Sequence, residues 1–297
     1  MSDNARNGID DKLIGERRHL LALAFRMLGT ISEAEDAVQE TYTRWYRMPQ
    51  PDRDAVVVVA AWLTRTTGRI CLDMLGSARA RRERYIGPWL PEPLPLATFD
   101  ARADDPLDRV ALDDSVSTAL LVVLELMTPA ERVAFVLHDV FAVPFPEVAE
   151  IVGRSPASCR QLATSARARV HQHASRIVPR REHDQVVRAF AQASRSGDLD
   201  ALIRALDPNV VLRSDGGGIV TAARNPVYGA ERVGRFLLGS LRKREGVEVI
   251  EQETNDGLGF ALWDEGRIVG VVTLEVASGL ITNVRMVLNP EKLSLWN

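Results

Sequence analysis

The sequence predicts a multidomain chain: two all-α units, the second built around a helix-turn-helix, followed by an α+β unit with a curved sheet. Three observations carry this. Apolar residues recur at three-to-four spacing through the first ~80 residues and again over 107–173. Valine-rich runs with period two begin only after Leu206. A length of 297 residues exceeds one typical domain, and 46% hydrophobic content is enough for more than one core.

In the first unit, Leu13, Leu20, Leu21, Ala24, Phe25 and Leu28 mark one buried helix face, and Gly29 ends it. Ser32 is expected to cap a second helix over 33–47, with Glu35 at the capping-box position. Met48-Pro49-Gln50-Pro51 breaks it. A third helix, over 57–75, carries Trp62, Leu63, Ile70, Leu72 and Leu75.

A connector follows that contains YIGPWLPEP at 85–93. Three prolines exclude a regular helix there, yet Tyr85, Ile86, Trp89 and Leu90 make it too apolar for a solvated linker. Helices resume over 107–127. Thr128-Pro129-Ala130-Glu131 holds a cap, an N1 proline and a capping-box glutamate for a helix to about Val140. Residues 147–152 form a short helix closed by Gly153, and Ser155-Pro156 caps the next, which runs to about His173. Beyond Pro179, helices are expected at 184–196, 199–206 and 233–241. Strands are expected at 210–212, 247–252, 259–263, 268–276 and 281–287.

The net charge of −3 conceals segregation. Residues 65–84 hold six arginines against two acids, and 151–181 hold seven arginines and no acid. Between them, 100–150 holds eleven acids against three arginines. Two basic stripes fit two polyanion contacts on one molecule. The second stripe coincides with the helix-turn-helix pattern of 147–173, whose second helix would enter a major groove. Ser155, Ser158, Arg160, Gln161 and Thr164 are its candidate DNA-facing residues, Arg160 suited to guanine and Gln161 to adenine. Arg154, Arg167 and Arg169 would hold phosphates. The polar N-terminus has no secretory pattern, and the longest apolar run, 55–63, is far too short to span a bilayer, so a cytoplasmic chain without a membrane partner is expected. Cys71 and Cys159 show no metal-ligand spacing and read as buried thiols; no cofactor is expected.

Residues 26–41, RMLGTISEAEDAVQET, resemble the core-polymerase-binding segment of extracytoplasmic-function (ECF) RNA polymerase sigma factors. AWLTR (61–65) through Cys71-Leu72-Asp73 resembles the region that engages the −10 promoter element. LMTPAER (126–132) through the helix-turn-helix resembles the domain that reads the −35 element. The resemblance implies core RNA polymerase and promoter DNA as partners. It implies polymerase contacts at Asp36, Gln39 and Glu40, and DNA contacts at Arg65, Arg69 and Arg79. It also implies a base-reading loop at 48–54. One departure is Thr67-Gly68-Arg69, where the family often has Ala-Arg-Asn.

The last ~115 residues resemble SnoaL-like members of the NTF2 superfamily, a cone-shaped α+β fold with a pocket. The matching stretches are GDLDAL (197–202), LDPNVV (206–211) and SDGGG (214–218). Arg213, Asp215, Asn255 and Trp263 would line that pocket, where a small ligand is a further partner. Tyr228 is the domain's one tyrosine, placed in a loop, so acid–base catalysis lacks a well-placed oxyanion donor and an enzyme is not expected. Asp215-Gly216-Gly217-Gly218 is no phosphate loop, since no Lys-Ser/Thr follows; the residues after it read as strand. Within the family, sigma factors with this extension pair YxGPWLPEP, DGGG and a terminal Asn-Pro-Asp/Glu-Lys-Leu, here Asn289 to Leu293. Tyr85, Trp89, Leu90, Pro91, Asp215, Gly216, Gly217, Gly218, Asn289 and Pro290 are therefore the expected interdomain regulatory set, with the glycine run facing the tether. The expected division is 10–80, a linker at 81–111, 112–178 and 183–297. Two other classes fit the same residues: a ligand-sensing DNA-binding regulator, and a SnoaL-type isomerase fused to a DNA-binding module.

Overall fold

The computed structural model describes residues 3–82, 85–95, 118–173, 178–243 and 246–297, with side chains described from residue 15 and not at 78–82, 119 or 173. It divides into two compact units. One joins Met1–Arg81 to Val123–His171, and the other joins Arg82–Val122 to Gln172–Asn297.

The first unit is helical: α1 (Asp3–Leu28), α2 (Ile31–Arg47), α3 (Gln50–Asp54), α4 (Val59–Arg82), α6 (Pro129–Phe135), α7 (Phe145–Val152) and α8 (Pro156–His173). Helix α5 (Thr118–Glu125) precedes α6, and the boundary between the units falls inside it; the expected start of that helix at 107–117 lies outside the described residues. The Gly29 amide donates to the Phe25 carbonyl at a φ of +85°, which ends α1. Thr30, not Ser32, caps α2, accepting from the Glu33 amide. Both Thr30-x-x-Glu33 and Ser32-x-x-Glu35 are capping-box patterns, and the helix starts at the earlier one because Ile31 is buried as its first residue. Part of the segment expected as a base-reading loop, 48–54, is the short helix α3, with Pro51 in its first turn. Thr128 and Glu131 form the reciprocal capping box of α6. That helix passes into a π-helical turn, Val136–Val140, ended by Phe141 and by Ala142 at a φ of +54°.

The second unit places α9 (Arg180–Ser196), α10 (Leu199–Ala205) and α11 (Ala230–Arg242) against one face of a six-stranded sheet. Its strands are β1 (Leu206–Asp215), β2 (Val227–Tyr228), β3 (Glu248–Thr254), β4 (Gly257–Asp264), β5 (Arg267–Ala277) and β6 (Leu280–Val287), in the order β2-β1-β6-β5-β4-β3. This is the α+β plan expected for the C-terminal part, with two differences. The sheet is mixed, because β1 and β6 pair in parallel. Tyr228 sits in strand β2 rather than a loop. Alternation gives each strand two destinations. Leu212, Phe260, Leu262, Val272, Val284 and Met286 join the core under the helices. Ala261, Val271 and Val287 point to the opposite face, where Leu90, Leu293 and Ile268 join them and Val122 and Trp296 pack alongside.

Candidate nucleic-acid interface and linker clasp

Helix α7 closes on Gly153 in the left-handed region, at a φ of +68°, and the Ser155 hydroxyl accepts from the Ser158 amide to start α8. Cys159, Ala163 and Ala166 bury one stripe of α8. Arg154, Ser155, Arg160, Gln161 and Thr164 are exposed on the other, with Ser158 half-buried. The Arg160 guanidinium lies 5.4 Å over the Phe145 ring, and the Thr164 hydroxyl is tied to the Arg160 carbonyl at 2.9 Å. Arg167 pairs with Asp139 at 2.5 Å, and Arg169 lies 3.7 Å from Glu131. Glu131 is held below the usual carboxylate range: burial opposes this, but bonds from Ser165 and Thr128 and the charge of Arg169 outweigh it.

On α2, Asp36 and Gln39 are exposed, while Glu40 is half-buried and bonded to Arg44 at 2.8 Å. Thr41 and Thr67 share a buried hydrogen bond of 2.9 Å that fixes α2 on α4. Arg69 is exposed, and the Arg79 side chain lies outside the described residues. Val57 and Val58, just before α4, are bare to solvent. Within this unit the α1–α4 and α6–α8 halves are docked. Arg132 is buried and donates to the Met27 carbonyl at 2.8 Å and to Glu125 at 2.6 Å. Phe141, thrown out by the π-turn, sits edge-on to His19 with centroids 5.0 Å apart and 5.3 Å under the guanidinium of Arg26. Burial lowers the Arg26 pKa to about 10. Arg65 meets Glu150 of α7 at 3.6 Å. Gly68 is buried with space for a Cβ only at 3.4 Å from Leu137 and 3.5 Å from Ile151. An arginine, as in the family pattern, would drive straight into both.

In the second unit the tether residues form a clasp around Asp215. Its carboxylate is fully buried and accepts four bonds: from the Tyr85 hydroxyl at 2.6 Å, the Leu90 amide at 2.9 Å, the Gly217 amide at 3.0 Å and Lys292 Nζ at 2.8 Å. Lys292 also donates to the Leu90 carbonyl at 2.5 Å and lies 4.0 Å from the Trp89 ring centroid. Asn289 donates to the Tyr85 oxygen at 3.0 Å, and Trp296 Nε1 donates to the Pro93 carbonyl at 2.8 Å. Burial and the Asp215 carboxylate push the Tyr85 phenol well above its ordinary value. Leu90 and Pro91 are buried, and Pro290 is exposed. The segment after Asp215 is not a strand: it is a turn in which the Ile219 and Val220 amides donate to the Gly216 carbonyl. Glycine is required here. A Cβ at Gly217 would lie 2.6 Å from the Asn289 side chain at a φ of +64°, and one at Gly218 would lie 2.9 Å from Ile86. Lys292 and Trp296 escaped the sequence reading, although Lys292 stands inside the quoted terminal motif, and Asn255, expected in a pocket, binds Leu94 of the tether instead.

The pocket residues expected from sequence are corrected by strand alternation. A cavity of about 100 Å³ opens between α9, α11 and the sheet, lined by Phe190, Leu237, Val249, Phe260, Leu262 and Met286 among others. Arg213 pairs in register with Arg285 and Asp215 with Val287, so both face away from Met286 and the cavity. Trp263 is likewise one residue out of phase with Leu262, and Asn255 lies in the β3–β4 turn. Among the described residues the cavity lining holds no carboxylate, histidine or tyrosine, and Arg195 is its one ionisable side chain.

A capped basic helix in a helical half that docks on α1–α4, together with a sheet domain that grips the tether, is the arrangement of a promoter-recognition factor. Residues 13–81 match the Sigma-70 region 2 family and residues 117–170 match Sigma-70 region 4. The chain is 43% identical over 229 residues to the ECF RNA polymerase sigma factor SigJ of Mycobacterium tuberculosis, covering 76% of this chain and 71% of the relative. It is 38% identical to the probable ECF RNA polymerase sigma factor SigI of the same organism, covering 93% and 92%. The crystal structure of the M. tuberculosis SigJ protein superposes with a TM-score of 0.73 at 35% identity, over 96% of this chain and 98% of that one. The chain belongs to the ECF RNA polymerase sigma factors and directs transcription. No described helix is long and apolar enough to cross a membrane.

Proposed function

We propose that this sigma factor reads its promoter with α4 and α8, binds core RNA polymerase through Asp36, Gln39 and Glu40 on α2, and is regulated by its own C-terminal domain through the tether. The observation that carries this reading is the buried Asp215 clasp, which holds the tether between the two DNA-reading regions. Gripped at Tyr85, Leu90 and Pro93, the tether is free to move only when the grip opens. Exposure of Arg154, Arg160 and Gln161 supports α8 as the −35 reader. Arg167 would reach a phosphate only by leaving Asp139, so it contributes less than its charge suggests. The ligand-sensing alternative rests on the apolar cavity, which suits a small apolar molecule better than an acid–base substrate. Run-off transcription with purified core polymerase tests the reading. Promoter-dependent transcripts are expected, and their yield should change when Asp215 is replaced by alanine. Equal yield from both chains would remove the regulatory role.

A further inference from the structure

The β3–β4 turn, Thr254-Asn255-Asp256-Gly257, touches two separate stretches of chain at adjacent residues. The Asn255 amide donates to the Leu94 carbonyl at 3.1 Å, and the Leu94 amide donates back to Asn255 Oδ1 at 3.4 Å. Pro95 bridges to Thr254. One residue on, Asp256 Oδ1 accepts from the Thr118 amide at 2.6 Å. Thr118 is 1% exposed and opens α5, the leading helix of the region 4 match. Val122, one turn further along, packs on the apolar patch of Leu90, Val271 and Val287. The two described ends of the 96–117 connector are therefore held side by side on one turn of the C-terminal domain.

The turn is built for this. The Thr254 hydroxyl donates to the Gly257 carbonyl and accepts from the Asp256 amide, fixing the Asp256 backbone. Gly257 adopts a φ of +106°, and a Cβ there would strike His183 at 2.8 Å. Asp256 keeps some solvent access as a residue, but its Oδ2 has none. The buried hydroxyls of Thr118 and Thr273 lie beside the same carboxylate and, with the charge of Arg285, counter the effect of burial on it. Burying this carboxylate costs stability. Accepting from the buried Thr118 amide offsets part of that cost.

We propose that residues 254–257 act as a staple: Asp256 caps and anchors the first turn of the region 4 helix while Asn255 anchors the end of the tether. The two described ends of the connector then separate only when Thr118 leaves Asp256 or Leu94 leaves Asn255. This rests on the regulatory reading above, and it adds a second grip, at the far end of the connector, to the one on the tether.

Amide hydrogen exchange on the full chain tests it at residues 118–122, with residues 85–94 as the internal control. In Asp256→Ala the 118–122 amides should exchange about three- to thirty-fold faster, the equivalent of one lost cap, while 85–94 keep their protection. In Asp256→Asn, which retains the Oδ1 acceptor, most protection should remain, and this variant guards against a simple folding defect. Unchanged exchange in Asp256→Ala overturns the staple, as does an equal loss in both variants. Failure of the regulatory reading shows elsewhere, in transcription that is indifferent to Asp215.

Discussion

Replacing Lys292 by methionine tests the clasp most sharply. Methionine keeps the length and much of the apolar stem, so the change isolates the ammonium group. That group is 5% exposed as a residue and meets Asp215, the Leu90 carbonyl and the Trp89 face. Without it, Asp215 retains three neutral donors, from Tyr85, Leu90 and Gly217, but its charge lies uncompensated in a fully buried position. Removing one partner of a buried pair costs about 3–5 kcal/mol. At about 1.4 kcal/mol per tenfold, exchange of the 85–94 amides should accelerate by roughly two to nearly four orders of magnitude, up to the limit set by global unfolding. Asp215→Asn should cost a similar amount, because it strands the ammonium instead. The double variant should cost clearly less than the sum of the two, since no buried charge remains. A loss below about 1 kcal/mol for Lys292→Met, the range of an exposed pair, would refute the reasoning, and so would simple additivity.

The other expectations concern separate parts of the molecule. Gly68→Arg should undock α4 from the π-turn and α7, at about 1–3 kcal/mol, and small-angle scattering should show a larger radius of gyration than for Gly68→Ala; equal radii would count against this packing. Arg160→Ala should cost about 1–3 kcal/mol at one base position, measured by binding to single-base promoter variants. A uniform loss with a shallower salt dependence would make Arg160 a phosphate contact instead. Burial raises the Asp256 pKa, against the opposing pull of Arg285 and of the Thr118 and Thr273 bonds and contacts. A raised folded value means that its contribution is complete below the unfolded carboxylate range near pH 3.9 and is lost as pH rises through the folded value. Exchange at 118–122, corrected for intrinsic rates, should therefore slow as pH falls through the folded value, and Asp256→Asn should abolish the trend.

What the sequence made legible follows from how local each signal is. Thr128 with Glu131, Ser155 and Gly153 carry their instructions within four residues, and each occupies its expected cap or turn. The valine runs disclosed strands but not their partners, because alternation constrains faces and not neighbours; the parallel pairing of β1 with β6 was hidden for that reason. Face assignment failed for Arg213 and Trp263 because a pocket inferred by resemblance ignored the in–out phase set by Leu212 and Leu262. The π-turn left no mark at all, since one inserted residue hardly disturbs an apolar helix face, yet it aims Phe141 at His19. Apolar tether residues and side-chain-free glycines were readable as complementary surfaces. The lysine between them was not, because a charged residue in a terminal tail is ordinarily solvated.

The polar character of the clasp bears on how it can work. The core beneath the helices, from Val187 through Leu288, is large and apolar. By contrast, the patch that receives the tether is small: Leu90, Ala261, Ile268, Val271, Val287 and Leu293. Burying Leu90 and Leu94 contributes about 1.5–3 kcal/mol each, and ordering the tether backbone offsets much of that. The balance therefore rests on Asp215, Lys292, Tyr85 and the Asn255–Asp256 turn, groups whose net worth depends on every partner being present. An apolar seal weakens gradually as contacts are lost, whereas a network around one buried charge fails when a single partner leaves. A competitor for Lys292 would thus be expected to release the tether while the apolar core beneath the helices stays folded, which is the property the proposed regulation by the C-terminal domain requires.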